Sequence, residues 1–432
     1  MNLKQITIAS LILSSVSFGA SIDLVQNYSA EYAGNPAQQG AINYGSTVYF
    51  NPAGLSQLEK GTYFVGGVQV AFGKQSMTNG KEYDADLFSP IPNFAVYKVV
   101  DDGAYYWTLG AVAGGASLEY DKSIPLPDFM PGVNFNNLLQ GTVVEGGNQY
   151  AQTTFGRTWK VDEKLSTSLG LRAVYGLRTL KASTSIKNGI QVSVRLPNDQ
   201  LNLVDVSGHS ASIDSERTGY GFGVQLGLNY KATDKLNLAL RYDSRVKMDF
   251  KTDAEISPKG MDPNNIGGSI IVDKLLDIYP VYDDGVKTRR DLPAILALGA
   301  SYKVTDKWTT FVGGNYYFNK DAKMDRIGND PGRYDYDNGW EISVGSEYWI
   351  NDKFAWLAGA NYADTGAKKT TYAATEYAIN SFIIGTGIKY RPDENTEWTV
   401  GYNHYFYDTT SFNGVEYEKK IASIGFNFVK KF

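Results

Sequence analysis

From about residue 60 onward the chain alternates. Between Tyr220 and Tyr230, Tyr220, Phe222, Val224, Leu226, Leu228 and Tyr230 fall on one side, and Gly221, Gly223, Gln225, Gly227 and Asn229 on the other. A period of two is a strand with one apolar and one polar face. The segment 397–407 repeats it, with Trp398, Val400, Tyr402 and Phe406 against Thr399, Gly401, Asn403 and Tyr405. So does the final one, with Ile424, Phe426, Phe428 and Phe432 against Ser423, Gly425, Asn427 and Lys431. A polar face that meets water is usually Lys, Glu and Thr. This one is Gly, Ser and Asn, and the apolar face is edged with aromatic rings. The combination predicts an all-β fold, a transmembrane antiparallel β-barrel whose polar face lines the lumen. The 31 tyrosines suit its two membrane interfaces, because Tyr has one wet and one apolar end.

The connections agree. Six short ones are nearly repeated: "YKVVDDG" (97–103), "WKVDEKL" (159–165), "YKATDKL" (230–236), "YKVTDKW" (302–308), "WINDKF" (349–354) and "YRPDENTEW" (390–398). Long polar segments lie between them, about 121–149, 181–218, 247–291, 319–338, 364–379 and 408–420. Short turns at one end and long loops at the other describe an outer-membrane barrel. Counting gives about fourteen strands, from 62–72 to 421–432, each near the roughly 9–11 residues a tilted strand needs to cross. Of these, 92–100 is short and 150–159 alternates poorly.

Several function classes fall away. There is no cysteine, hence no disulfide framework or thiol nucleophile. The two histidines, His209 and His404, do not make a metal centre, and a formal charge of -5 without a basic run does not suit nucleic acid. His404 sits between Tyr402 and Phe406 on an outward face with no serine placed for it, so nothing supports catalysis. The acidic stretch 319–339 misses the spacing of a calcium loop, and no cofactor or metal site is expected.

The first residues read as a signal peptide, 1–19: Lys4, an apolar run from Ile6 to Val16, then Ser17-Phe18-Gly19 before a mature start at Ala20. Residues 20–60 neither alternate nor show the composition of a disordered tail. They carry apolar side chains that need burial, and a barrel lumen is available. The expected organisation is therefore a plug, or hatch, over 20–60 and a barrel over 61–432. The plug contains Asn-Pro-Ala twice, at Asn35-Pro36-Ala37 and Asn51-Pro52-Ala53.

The chain resembles the FadL family of outer-membrane transporters for long-chain fatty acids and other hydrophobic compounds. The resemblance rests on Asn51-Pro52-Ala53-Gly54-Leu55 just before the first strand, on "DLPAILALGASYKVTDKWT" (291–309), and on the layout as a whole, which ends in Phe432. Asn35-Pro36-Ala37 has no counterpart in that motif and reads as a local turn. The resemblance implies a bacterial outer membrane location and passive uptake of a hydrophobic small molecule. The ligand would be caught at outer loops, held in a pocket against the hatch, and released through a gap in the barrel wall. The partners implied are outer-membrane lipid and lipopolysaccharide, together with the barrel assembly machinery that reads a C-terminal phenylalanine.

Each step has candidate residues. Apolar outer loops offer a landing site in Phe129, Met130, Phe135, Leu138 and Leu139, and in Ile271, Leu275, Leu276, Ile278 and Tyr279, where spacing predicts a short helix with one apolar stripe. Two loops that bury each other as a lid would carry the same residues. Glycines inside the third strand mark a bulge or bend, and Gly114-Gly115 is the candidate exit. A carboxylate headgroup would seek a buried cation. Register points Arg172, Arg241 and Lys389 inward, with Arg157 a fourth candidate, while Glu341, Glu347 and Asp243 stand ready to neutralise them as ordinary lumenal ion pairs. A general porin and a surface adhesin are the rival readings.

Overall fold

The computed structural model describes residues 20–124, 135–195, 201–325, 335–372 and 376–432. The expected signal peptide lies outside the described residues. Seventeen strand segments join in one sheet. Two pairs of segments continue each other across short breaks, and Thr410–Phe412 only extends the outer end of a wall strand, which leaves a closed wall of 14 strands. They are β1 (Gly61–Asn79), β2 (Lys81–Val100), β3 (Gly103–Glu119), β4 (Leu139–Lys160), β5 (Leu165–Ile186), β6 (Ser210–Lys231), β7 (Leu236–Asp243 with Asp249–Ser257), β8 (Lys287–Arg289 with Ile295–Lys303), β9 (Trp308–Tyr317), β10 (Gly339–Trp349), β11 (Phe354–Asp364), β12 (Ser381–Asp393), β13 (Thr396–Tyr407) and β14 (Val415–Lys431). Each pairs antiparallel with the next, and β14 pairs with β1 from Tyr63↔Lys431 to Thr78↔Glu416. Closure leaves no free outermost strand, as a wall in lipid requires; the exception is one stretch between β2 and β3, where the ladder stops at Asn93↔Gly110.

The six short turns stand where the sequence places them, at one rim. The strands, however, run far longer at the other. The segment between 72 and 92 is no loop: β1 and β2 continue to a tight turn at Gly80. Likewise β4 begins at Leu139, β5 ends at Ile186 and β6 begins at Ser210. The reason is solvent. Ser212, Asp214 and Glu216 face outward on β6 exactly as Tyr220 and Phe222 do below them, while Ala211, Ile213, Ser215 and Arg217 face in. Beyond the lipid the outward side turns polar, and the alternation that betrays a strand fades.

Residues 20–58 fill the lumen and are almost entirely buried. They form short helices, Ala30–Gly34 with Ser29 as N-cap, Thr47–Phe50, and a 3-10 turn Pro52–Gln57. Tyr32 stacks on Phe50 at 5.7 Å, and Leu55 is sealed among wall residues that include Tyr63, Tyr97 and Tyr106. On the opposite side each of β8–β14 contributes one glycine at this height: Gly299, Gly313, Gly345, Gly359, Gly385, Gly401 and Gly425. The plug lies directly on them, with its backbone against Gly299, Gly385, Gly401 and Gly425 and with the side chains of Gln39, Asn35 and Pro36 against Gly313, Gly345 and Gly359. A Cβ on Gly385 would stand 2.5 Å from the carbonyl oxygen of Ala33, and one on Gly425 would stand 2.7 Å from Cα of Ala30. These glycines permit close approach of the plug to the wall backbone.

Candidate functional site

The plug begins at the bottom of a cavity below the outer mouth. The cavity is lined by Asp23 from the plug, Arg178 from β5, Arg217 from β6, Lys419 from β14, and Tyr377 and Glu376 from the connection between β11 and β12. Asp23 is fully buried. Arg290, just after Arg289, grips its carboxylate with both arms, Nε to Oδ2 at 2.8 Å and Nη2 to Oδ1 at 2.9 Å. Arg178 Nη1 donates to Oδ1 at 2.7 Å, Tyr150 to Oδ2 at 2.8 Å and Asn148 to Oδ1 at 3.2 Å. Glu376 closes the same two arginines from the outer side, at 2.9 Å from Arg178 Nη2 and in contact with Arg290 Nη2. Burial by itself would raise the pKa of Asp23, but the charges of Arg290 and Arg178 outweigh it and hold the carboxyl well below the usual range. The same balance lowers Glu376.

Two cations of this cavity have no acidic partner within ion-pair distance among the described residues. Arg217 is buried over the ring of Phe250 at 5.7 Å and bonds Thr288. The Lys419 ammonium lies 4.8 Å from the ring centre of Tyr377 and 5.8 Å from that of Tyr407. Four cations thus face two carboxylates, an arrangement suited to one further anion.

Next to the cavity the wall is unpaired. The ladder between β2 and β3 runs from Val100↔Gly103 to Asn93↔Gly110 and stops. Above it β2 pairs only with β1, and β3 only with β4. Contact resumes at the outer end, where the Asp121 N–H donates to the Asp84 carbonyl at 2.7 Å and the Asp84 N–H to Asp121 Oδ1 at 2.9 Å. Within this window β3 bulges twice against β4, between Ala111 and Ala113 and between Gly115 and Leu118. Gly114 has φ +118°, and Gly115 N–H donates to Asn148 Oδ1. The plug reaches the window too: Gln26 N–H donates to the Val112 carbonyl at 2.9 Å.

Residues 135–428 match the family described as outer membrane protein transport protein (OMPP1/FadL/TodX). The chain belongs to this family. It is an outer-membrane β-barrel of the FadL/TodX type, a family that transports hydrophobic compounds. An outer membrane protein of Neisseria meningitidis serogroup B is 23% identical over 94% of this chain and 88% of its own length. Outer membrane protein P1 of Haemophilus influenzae is 23% identical over 56% of this chain, which spans 53% of that relative. Among solved structures, a Pseudomonas aeruginosa FadL homologue superposes with TM-score 0.67 at 14% identity, covering 94% of this chain and 98% of the other. The Pseudomonas putida toluene transporter TodX gives 0.65 at 14%, covering 98% and 100%. At that identity the likeness is one of fold.

In this FadL-type chain the sequence-predicted cations hold structure together. Arg241 donates to the plug carbonyls of Tyr49 at 2.7 Å and Phe50 at 3.1 Å, and lies 3.3 Å from Asp243. Lys389 pairs with Glu347 at 2.8 Å. Arg172 is buried against Gln152 and the Ser244 carbonyl. Arg157 is on the outer face, paired with Asp102 at 2.6 Å and stacked near Tyr105, because odd residues of β4 face lipid. None of the four lines the cavity. Glu341 lies deeper, accepting from Tyr317 at 3.0 Å and from the plug's Gln26 at 3.4 Å.

Asn51, Pro52 and Ala53 tie the plug to β6, β4 and β5, Gly54 lies against Ile42 and Asn51 within the plug, and Leu55 is buried in the cluster beside them. The expected helix near the mouth is Ile266–Ile278, capped by Asn265. Ile271, Leu275, Leu276 and Tyr279 pack with Leu139, Ile186 and Val206 over the ends of β4–β6. Leu138 ends the turn Phe135–Leu138. Phe129 and Met130 lie outside the described residues, as do the side chains of Phe135 and Ile278. Sequence reading missed Asp23, Arg178, Arg217, Arg290, Glu376 and Lys419. Arg178 shares the even register of Arg172 and could have been found. Arg217 stood in a segment read as loop.

Proposed function

We propose that the chain admits hydrophobic molecules with an anionic head, such as long-chain fatty acids, by passive diffusion. The ligand lands on the half-buried apolar patch of Leu275, Leu276 and Tyr279, moves into the cavity over the plug, and leaves sideways between β2 and β3 at Gly114-Gly115. The observation that carries this reading is the cavity itself, with its surplus of cations beside an unpaired stretch of wall. An apolar tail gains roughly 25 cal/mol per Å² on leaving water, so a dry route binds it and an aqueous pore does not. The relatives named for toluene point to uncharged hydrocarbons instead, and the four cations weigh against that choice. The plug weighs against a general porin.

The test is binding to purified protein of dodecanoate, dodecanol and toluene, with conductance recorded in a planar bilayer. Dodecanoate should bind best and lose its advantage in Lys419→Gln, which removes a cation that has no acidic partner within ion-pair distance among the described residues. The intact protein should pass little current, and deletion of 20–60 should raise it sharply. High conductance in the intact protein with no binding of any probe would establish a porin.

A further inference from the structure

Backbone groups along a strand address its two neighbours alternately. On β2, Asp84 addresses the β3 side, through both its N–H and its carbonyl. Positions 86, 88, 90 and 92 therefore address it as well, and these span the window below Asp84. Two of the four are proline, Pro90 and Pro92. The pairing with β1 runs unbroken through Val70↔Pro90 and Val68↔Pro92, as it can only if the missing N–H groups lie on the other side. The ladder to β3 stops at Asn93, the residue after Pro92.

An unpaired N–H facing a neighbouring strand within the membrane is costly and would pull that strand into register. Proline removes the donor and with it the incentive. On the opposite strand the bulged Val112 carbonyl is already taken by Gln26 of the plug. The seam thus carries fewer groups that would pair across it: two donors are absent on β2, and one acceptor on β3 is met by the plug.

We infer that Pro90 and Pro92 are positioning residues that keep the β2–β3 seam from zipping, so that an apolar molecule can pass from lumen to lipid between them. This rests on the lateral exit proposed above. Phe88, outward in the same window, puts an apolar side chain on the lipid side of the seam.

The test is the double variant Pro90→Val, Pro92→Val in the full chain, reconstituted in lipid, with Ile91→Val as control because its backbone addresses β1. Amide hydrogen exchange over 111–118 and transport of labelled dodecanoate are read together, with lumenal binding measured separately. The double variant should gain protection on β3, keep its binding and lose transport, and the control should change none of these. Should the double variant not assemble, Pro92→Ala alone, next to the existing ladder, should show the same direction. Protection gained with undiminished transport, or no gain in protection at all, overturns the inference and leaves capture and binding untouched. Failure of the unaltered protein to bind any probe overturns the proposed function, and this inference with it.

Discussion

Asn51 of the plug and Asn229 of the wall meet side chain to side chain, Nδ2 to Oδ1, at 2.7 Å. The chain of amides continues from Asn229 to Asn237 at 2.9 Å, and Gln57 returns it to the plug. The next two plug carbonyls are met by wall hydroxyls, Pro52 by Thr158 at 2.8 Å and Ala53 by Ser166 at 2.7 Å. Pro52 opens the 3-10 turn that aims both carbonyls. Asn51→Ala should cost about 1–2 kcal/mol in urea unfolding, the scale of a buried hydrogen bond lost. Pro52→Ala should impair assembly or uptake more than Pro36→Ala, and the reverse order would contradict this account of the second Asn-Pro-Ala.

Lys389 is 1% exposed and its charge is answered by Glu347. Removing one partner strands the other. Lys389→Met should destabilise by about 3–5 kcal/mol, and adding Glu347→Gln should recover most of it. A thermal double-mutant cycle measures the coupling. Loss of binding rather than stability in Lys389→Met would instead make it a ligand contact.

The absence of native cysteine makes the seam easy to lock. Cysteines at Ser89 and Val112, joined by a bifunctional maleimide, should abolish transport and leave lumenal binding intact. Transport that survives bridging places the exit elsewhere.

Acid should loosen the plug. Asp23 and Glu376 are carboxylates with depressed folded pKa values, so their contribution is present above the unfolded pKa and lost as pH falls. Leak conductance should stay flat from neutral pH down to about pH 5 and rise progressively below it. Leak that rises toward alkaline pH would contradict the assignment.

What the sequence determined follows from local physics. The period of two, the aromatic edges of the apolar face and the repeated aromatic-polar turns are each dictated within a dozen residues, so barrel, strand count and rim were legible. The lumenal glycines were legible as residues but not in purpose. Gly345 and Gly359 are bare because Asn35 and Pro36 lie against them, which makes the first Asn-Pro-Ala a docking point as well as a turn. The cavity was not legible. Asp23 and Arg290 are 267 residues apart, and neither has a local signature. Only closure of β14 onto β1, with the plug inside, brings these charges together, and only burial at that point makes their pairing obligatory.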